Sequence, residues 1–128
     1  MCTDLRRLPI ALLSLLTVAA LAAMVALPAS AHAYLDRALP VAGSIVRESP
    51  RELTLWFTQR IEPAFSVVRV LDAAGKEIAA GAPQFDADGK VMRISLPTLA
   101  AGTYRAKWRV VSVDTHVSEG EFTFDVAR

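Results

Sequence analysis

The sequence predicts an all-β domain, a two-sheet sandwich of the immunoglobulin-like kind, carried behind a cleavable export leader. Three observations predict it. From His32 onward apolar and polar residues alternate with period two in short runs, turn-forming residues separate those runs at close intervals, and no stretch has the spacing of a long amphipathic helix.

The leader comes first. Apolar residues make up 53% of the 128-residue chain, but they crowd its front, so the two ends are read separately. Arg6 and Arg7 open the segment, an uncharged run extends from Leu8 to Leu27, and Pro28-Ala29-Ser30-Ala31 closes it. A basic start, an apolar middle and a small-residue exit mark a secretory signal peptide over residues 1–31. The competing reading is an uncleaved membrane anchor, because the run reaches the roughly 20 residues that cross a bilayer. Ala29 and Ala31 place the cut before His32, whereas Ala31 and Ala33 place it before Tyr34.

Cleavage before His32 leaves residues 32–128 as one domain, near the small end of the sizes that bury a core unaided. Asp4, Arg6 and Arg7 depart with the leader, so 12 basic residues then face 12 acidic ones. A neutral domain has no long-range field to gather nucleic acid or anionic lipid, and neither is an expected partner. Cys2, the single cysteine, departs as well, which removes any internal disulfide and any thiolate ligand. It also lies too early to be a lipid-attachment cysteine after an apolar segment.

Along residues 32–128 the strands read as follows. Leu53, Leu55 and Phe57 share one face of a first run. Val68 and Val70, with Val67 and Leu71 beside them, predict a more fully buried strand, and Val91-Met92-Arg93-Ile94 has strand patterning as well. Tyr104, Ala106, Trp108 and Val110 alternate with Arg105, Lys107 and Arg109, the clearest half-buried strand of the chain. Phe122, Phe124 and Val126 alternate with Glu121, Thr123 and Asp125. Turn signals fall at Pro40–Ser44, Ser49-Pro50, Asp72–Gly75, Gly81–Pro83, Asp86–Gly89 and Ala100–Gly102. Trp56 and Trp108 are expected to anchor the core, since large aromatics dominate buried area.

The chain has two histidines. A histidine at a new N-terminus offers its α-amino nitrogen and ring Nδ1 to one metal, closing a six-membered chelate ring, and His32 takes that position if the leader is cut after Ala31. Asp114-Thr115-His116 supplies the other half: in an extended segment, residues two apart point to the same side. The donors are then the α-amino group, the His32 ring, the His116 ring and an Asp114 oxygen. Such a tetragonal N,O set suits Cu(II), which also stands at the top of the divalent affinity order. Asp114 binds the ion axially or orients a histidine from behind it. Enzyme signatures are missing: there is no cysteine nucleophile, no serine elbow with triad partners and no glycine-rich phosphate loop. No small-molecule substrate is expected.

At these residues the chain resembles a known family, the CopC-like periplasmic copper-binding proteins. The resemblance covers essentially the whole of residues 32–128. It starts at His32-Ala33, Leu35 and Pro40, runs through Ser49-Pro50-Arg51-Glu52-Leu53-Thr54-Leu55 and Phe57, and includes Gly102-Thr103-Tyr104 and Trp108-Arg109-Val110-Val111-Ser112. It ends on Asp114-Thr115-His116 and Gly120 with Phe122-Thr123-Phe124. The resemblance implies a Greek-key β-sandwich or barrel of about seven strands, and a site for one Cu(II) ion on His32, Asp114 and His116. It also favours cleavage before His32, because a cut after Ala33 discards the chelating residue.

Two positions depart from the family pattern. Some relatives carry a methionine-rich loop for Cu(I), whose softness matches thioether sulfur. Here Met92 is the only methionine after residue 31 and sits in a strand pattern, so no Cu(I) thioether site is expected. Gln59 stands where some relatives place a glutamate near the copper, and a neutral amide makes a fifth ligand from that position doubtful.

The expected function is an exported, non-catalytic Cu(II) binder in the periplasm or an equivalent space, serving copper homeostasis or resistance. It buffers the ion or hands it to a membrane partner, which the resemblance makes a CopD-like inner-membrane protein. Two alternatives stand beside it. A terminal histidine with a second imidazole is also the copper brace of oxidative polysaccharide-cleaving enzymes, and a plain immunoglobulin-like interaction module needs no metal.

Overall fold

A computed structural model describes residues 32–78 and 82–128 of the chain. The leader, Cys2 and the choice between signal and anchor lie outside the described residues, as does Gly81 of one anticipated turn.

The architecture is a sandwich of two four-stranded sheets. The first sheet has the order β1 (Leu35–Leu39), β3 (Glu52–Phe57), β6 (Val91–Ser95), β5 (Gln84–Phe85), all antiparallel. The second has the order β2 (Ile45–Val46), β8 (Val117–Val126), β7 (Gly102–Val111), β4 (Val67–Leu71), with β2 running parallel to β8. Among the described residues eight strands thus form where about seven are expected, two of them only two residues long. One 3-10 turn, Pro63–Phe65, lies on the connection from β3 to β4.

Alternation decides what enters the core. Leu53, Leu55 and Phe57 of β3 face Tyr104, Ala106 and Val110 of β7, Phe124 and Val126 of β8 and Val68 and Val70 of β4 in one buried cluster. Apolar area removed from water at these positions is the main force joining the sheets. Met92 is fully buried in the same cluster, as a core residue and not an exposed thioether. Tyr104 stacks on Phe124 with ring centroids 5.7 Å apart, and its hydroxyl donates to the Ala100 carbonyl at 2.6 Å. Gly120 lies against the Trp108 indole, so close that a Cβ there would come within 2.5 Å of Cζ2.

Two expectations about the core need correction. Trp56 is not a core anchor: it sits between inward-facing Leu55 and Phe57, so the pleat sends it to the outer face, where the Arg37 guanidinium covers its ring at 3.9 Å. Trp108 does pack against the core, edge-on to Phe57 at 5.5 Å. The strand β4 is buried on one face only, with Val68 and Val70 inside and Val67 half exposed, because nothing covers the outer face of this edge strand.

β1 carries no alternation in the sequence because it is irregular. Leu35 pairs with Phe57 and Arg37 with Trp56, so the register shifts at Asp36, and the extra residue breaks the period-two pattern.

Candidate metal centre

His32 precedes β1 in the first sheet, and His116 precedes β8 in the second. The fold nonetheless brings them together, with ring centroids 4.8 Å apart and planes inclined at 62°. Both residues are exposed.

Each is held by main-chain bonds close by. On the His32 side Ala33 is completely buried. The next residue is tied twice: the Tyr34 N–H donates to Thr58 Oγ1 at 3.0 Å and the Thr58 N–H donates to the Tyr34 carbonyl at 2.9 Å. The Tyr34 ring packs at a tilt against the His32 imidazole, with centroids 5.9 Å apart.

On the His116 side, residues 112–116 form the tight turn between β7 and β8. Ser112 organises it. Its N–H donates to the His116 carbonyl at 2.9 Å, its hydroxyl oxygen accepts from the His116 N–H at 3.3 Å, and its carbonyl accepts from the Thr115 N–H at 2.8 Å. Thr115 adopts a left-handed backbone with φ of 69°. Asp114-Thr115-His116 is therefore not extended, and the expectation that Asp114 and His116 share a side because they lie two apart in a strand does not hold. The connection between the two long antiparallel strands contains one left-handed position, and here a β-branched residue occupies it.

Asp114 is exposed on this turn. Among the described residues no three or more His, Cys, Asp or Glu side chains gather closely enough to hold a metal ion. What the fold assembles is the pair of imidazoles. Two exposed imidazoles at this separation fit a borderline-soft divalent ion that prefers nitrogen.

The sequence reading passed over Tyr34 and Thr58. Their roles come from one ring contact and two hydrogen bonds to a partner 24 residues away, for which local patterning carries no signal.

A model of the CopC domain matches residues 35–127. The chain belongs to the CopC family. Copper resistance protein C of Escherichia coli is 36% identical over 111 residues, covering 80% of this chain and 86% of that protein. The copper transport protein CutJ of Bacillus subtilis is 26% identical over 100 residues, which span 77% of this chain but 18% of that protein. The crystal structure of CopC from Methylosinus trichosporium OB3b superposes with a TM-score of 0.71 at 35% identity, covering 75% of this chain and 94% of that one. Membership of this family gives the chain a copper-related, non-enzymatic function, which sets the oxidative-enzyme reading aside.

Proposed function

We propose that the exported chain begins at His32 and carries one Cu(II) ion as cargo. The ion is held by the α-amino nitrogen and imidazole of His32 and the imidazole of His116, with Asp114 as the carboxylate of the set. The approach of the two imidazoles across the two sheets carries this reading. Three nitrogen donors then come from two residues, which answers the lack of a third gathered side chain, because the free amine exists only after cleavage. Burial of Ala33 supports the same cut: it is part of the core, and removing it with the leader leaves a hole in that cluster.

Asp114, on the same turn as His116, would supply a carboxylate oxygen to the ion or orient one of the histidines from behind it. Met92 is buried between the sheets and offers no thioether, and the nitrogen and oxygen donors of the proposed set suit Cu(II). The protein serves in the periplasm, buffering copper or passing it to a CopD-like inner-membrane protein. In support, the CutJ match covers only a small share of a longer copper transport protein, so a domain of this kind also occurs joined to transport machinery.

The test is mass analysis of the exported protein, followed by Cu(II) titration under electron paramagnetic resonance. The expected results are His32 as first residue, one ion per chain and splitting from several nitrogen donors. A different first residue, or a copper signal without nitrogen coupling, overturns the proposal.

A further inference from the structure

Residues Thr58–Ile61 leave the end of β3 in the first sheet and cross toward the second. The first residue of this stretch makes the two bonds that hold Tyr34, two positions from His32. Its last two residues hold the turn that carries His116. The Arg60 carbonyl accepts from the Val113 N–H at 3.1 Å, and Ile61 forms an isolated antiparallel bridge with Ser112. Ser112 in turn makes both main-chain contacts to His116.

The strap is itself fixed. The Ile61 side chain is buried, its N–H donates to the Gly89 carbonyl at 2.9 Å, and the Glu62 N–H donates to the Val111 carbonyl at 2.7 Å. One short segment thus grips the chain next to each histidine and is anchored at its far end, at Ile61 and the following Glu62.

We propose that the strap Thr58–Ile61 sets the gap between the two imidazoles, and that Thr58 is the positioning residue for His32. The inference rests on the reading of His32 and His116 as the copper-binding pair. Chain ends fray unless something ties them down, and after cleavage His32 is a chain end. Burial of Ala33 fixes a point, but a methyl group in a core does not fix the direction in which the preceding residue leaves. The paired bonds between Tyr34 and Thr58 do, because together they hold one peptide plane on each side of the Tyr34 Cα. Without the hydroxyl, the Tyr34 N–H loses its acceptor and the first two residues turn about the remaining bond. Copper must then order them at the expense of affinity.

The experiment compares the exported wild-type protein with Thr58→Val, which keeps the shape and removes the acceptor, and with Thr58→Ser, which restores it. Before copper is added, Thr58→Val is expected to lose the magnetic contact between the His32 and His116 rings and the slow exchange of the Tyr34 amide, and Thr58→Ser to keep both. On titration, Cu(II) affinity is expected to fall about tenfold in Thr58→Val, as follows from one lost hydrogen bond, and to recover in Thr58→Ser. Melting temperatures serve to show that the sandwich itself is intact.

A Tyr34 amide that exchanges freely in the wild-type protein overturns the proposal without any variant. So does a Thr58→Val protein with wild-type ring contact and affinity, or a Thr58→Ser protein as weak as Thr58→Val. If the wild-type protein takes up no Cu(II), the ligand assignment fails instead, while the ring contact in the copper-free proteins still decides whether Thr58 positions His32.

Discussion

The imidazoles of His32 and His116 meet edge to face at 4.8 Å although they precede strands of different sheets. Nothing in the core requires this meeting, since both side chains lie at the surface. It depends on three local devices: the paired hydrogen bonds between Tyr34 and Thr58, the Ser112-centred turn, and the strap that links them.

Replacing either histidine by alanine is expected to leave the sandwich folded, because both are exposed, and to weaken Cu(II) binding by more than about a hundredfold, the upper end of what loss of a mere supporting contact costs. Competition titration against a copper chelator, with circular dichroism as the folding control, checks both parts.

Acid is expected to release the ion. Amine and imidazole nitrogens in general take up protons between about pH 8 and pH 6, and each proton competes with copper for the same lone pair. Copper bound to the native state alone raises its melting temperature, so the difference between loaded and copper-free protein should be large at about pH 8 and shrink toward zero near pH 5. A difference that persists unchanged across that range contradicts a nitrogen-based site.

Gly120→Ala is expected to destabilise the fold by about 1–3 kcal/mol, the usual cost of forcing an extra carbon into packed space. The new Cβ would lie within 2.5 Å of the Trp108 ring, which must then leave its edge-on seat against Phe57. Urea unfolding gives the energy, and near-ultraviolet circular dichroism reports the displaced indole.

Thr115→Asn is expected to stabilise the protein by about 0.5–1 kcal/mol, a part of the left-handed penalty that asparagine bears more easily than a β-branched residue. The observation behind it is the φ of 69° at Thr115. Thermal unfolding of the copper-free protein measures it, and a lower melting temperature would show that the threonine is not strained there.

The sandwich was legible in the sequence wherever one strand face was kept apolar without interruption. β7 and β8 follow their alternation almost residue for residue, and β3 and β6 were placed by Leu53, Leu55, Phe57 and Met92. β1 was hidden by the shift at Asp36, and β2 and β5 are too short to show a period. The two histidines stood out by their rarity and place. The conformation between them did not: a threonine at positive φ is a poor turn signal, and the Tyr34–Thr58 and Ser112–Ile61 contacts join segments that only the folded chain makes neighbours.

Complete burial of Ala33 has a practical side. With the proposed cut before His32, Ala33 becomes the second residue and is already plugged into the interior, and any residue appended ahead of His32 turns the proposed amine ligand into an amide. Under the proposed ligand set, purification handles, labels and surface attachment therefore belong beyond Arg128, which is exposed, and a recombinant product that keeps even one extra residue ahead of His32 is expected to fold but to lack the amine donor.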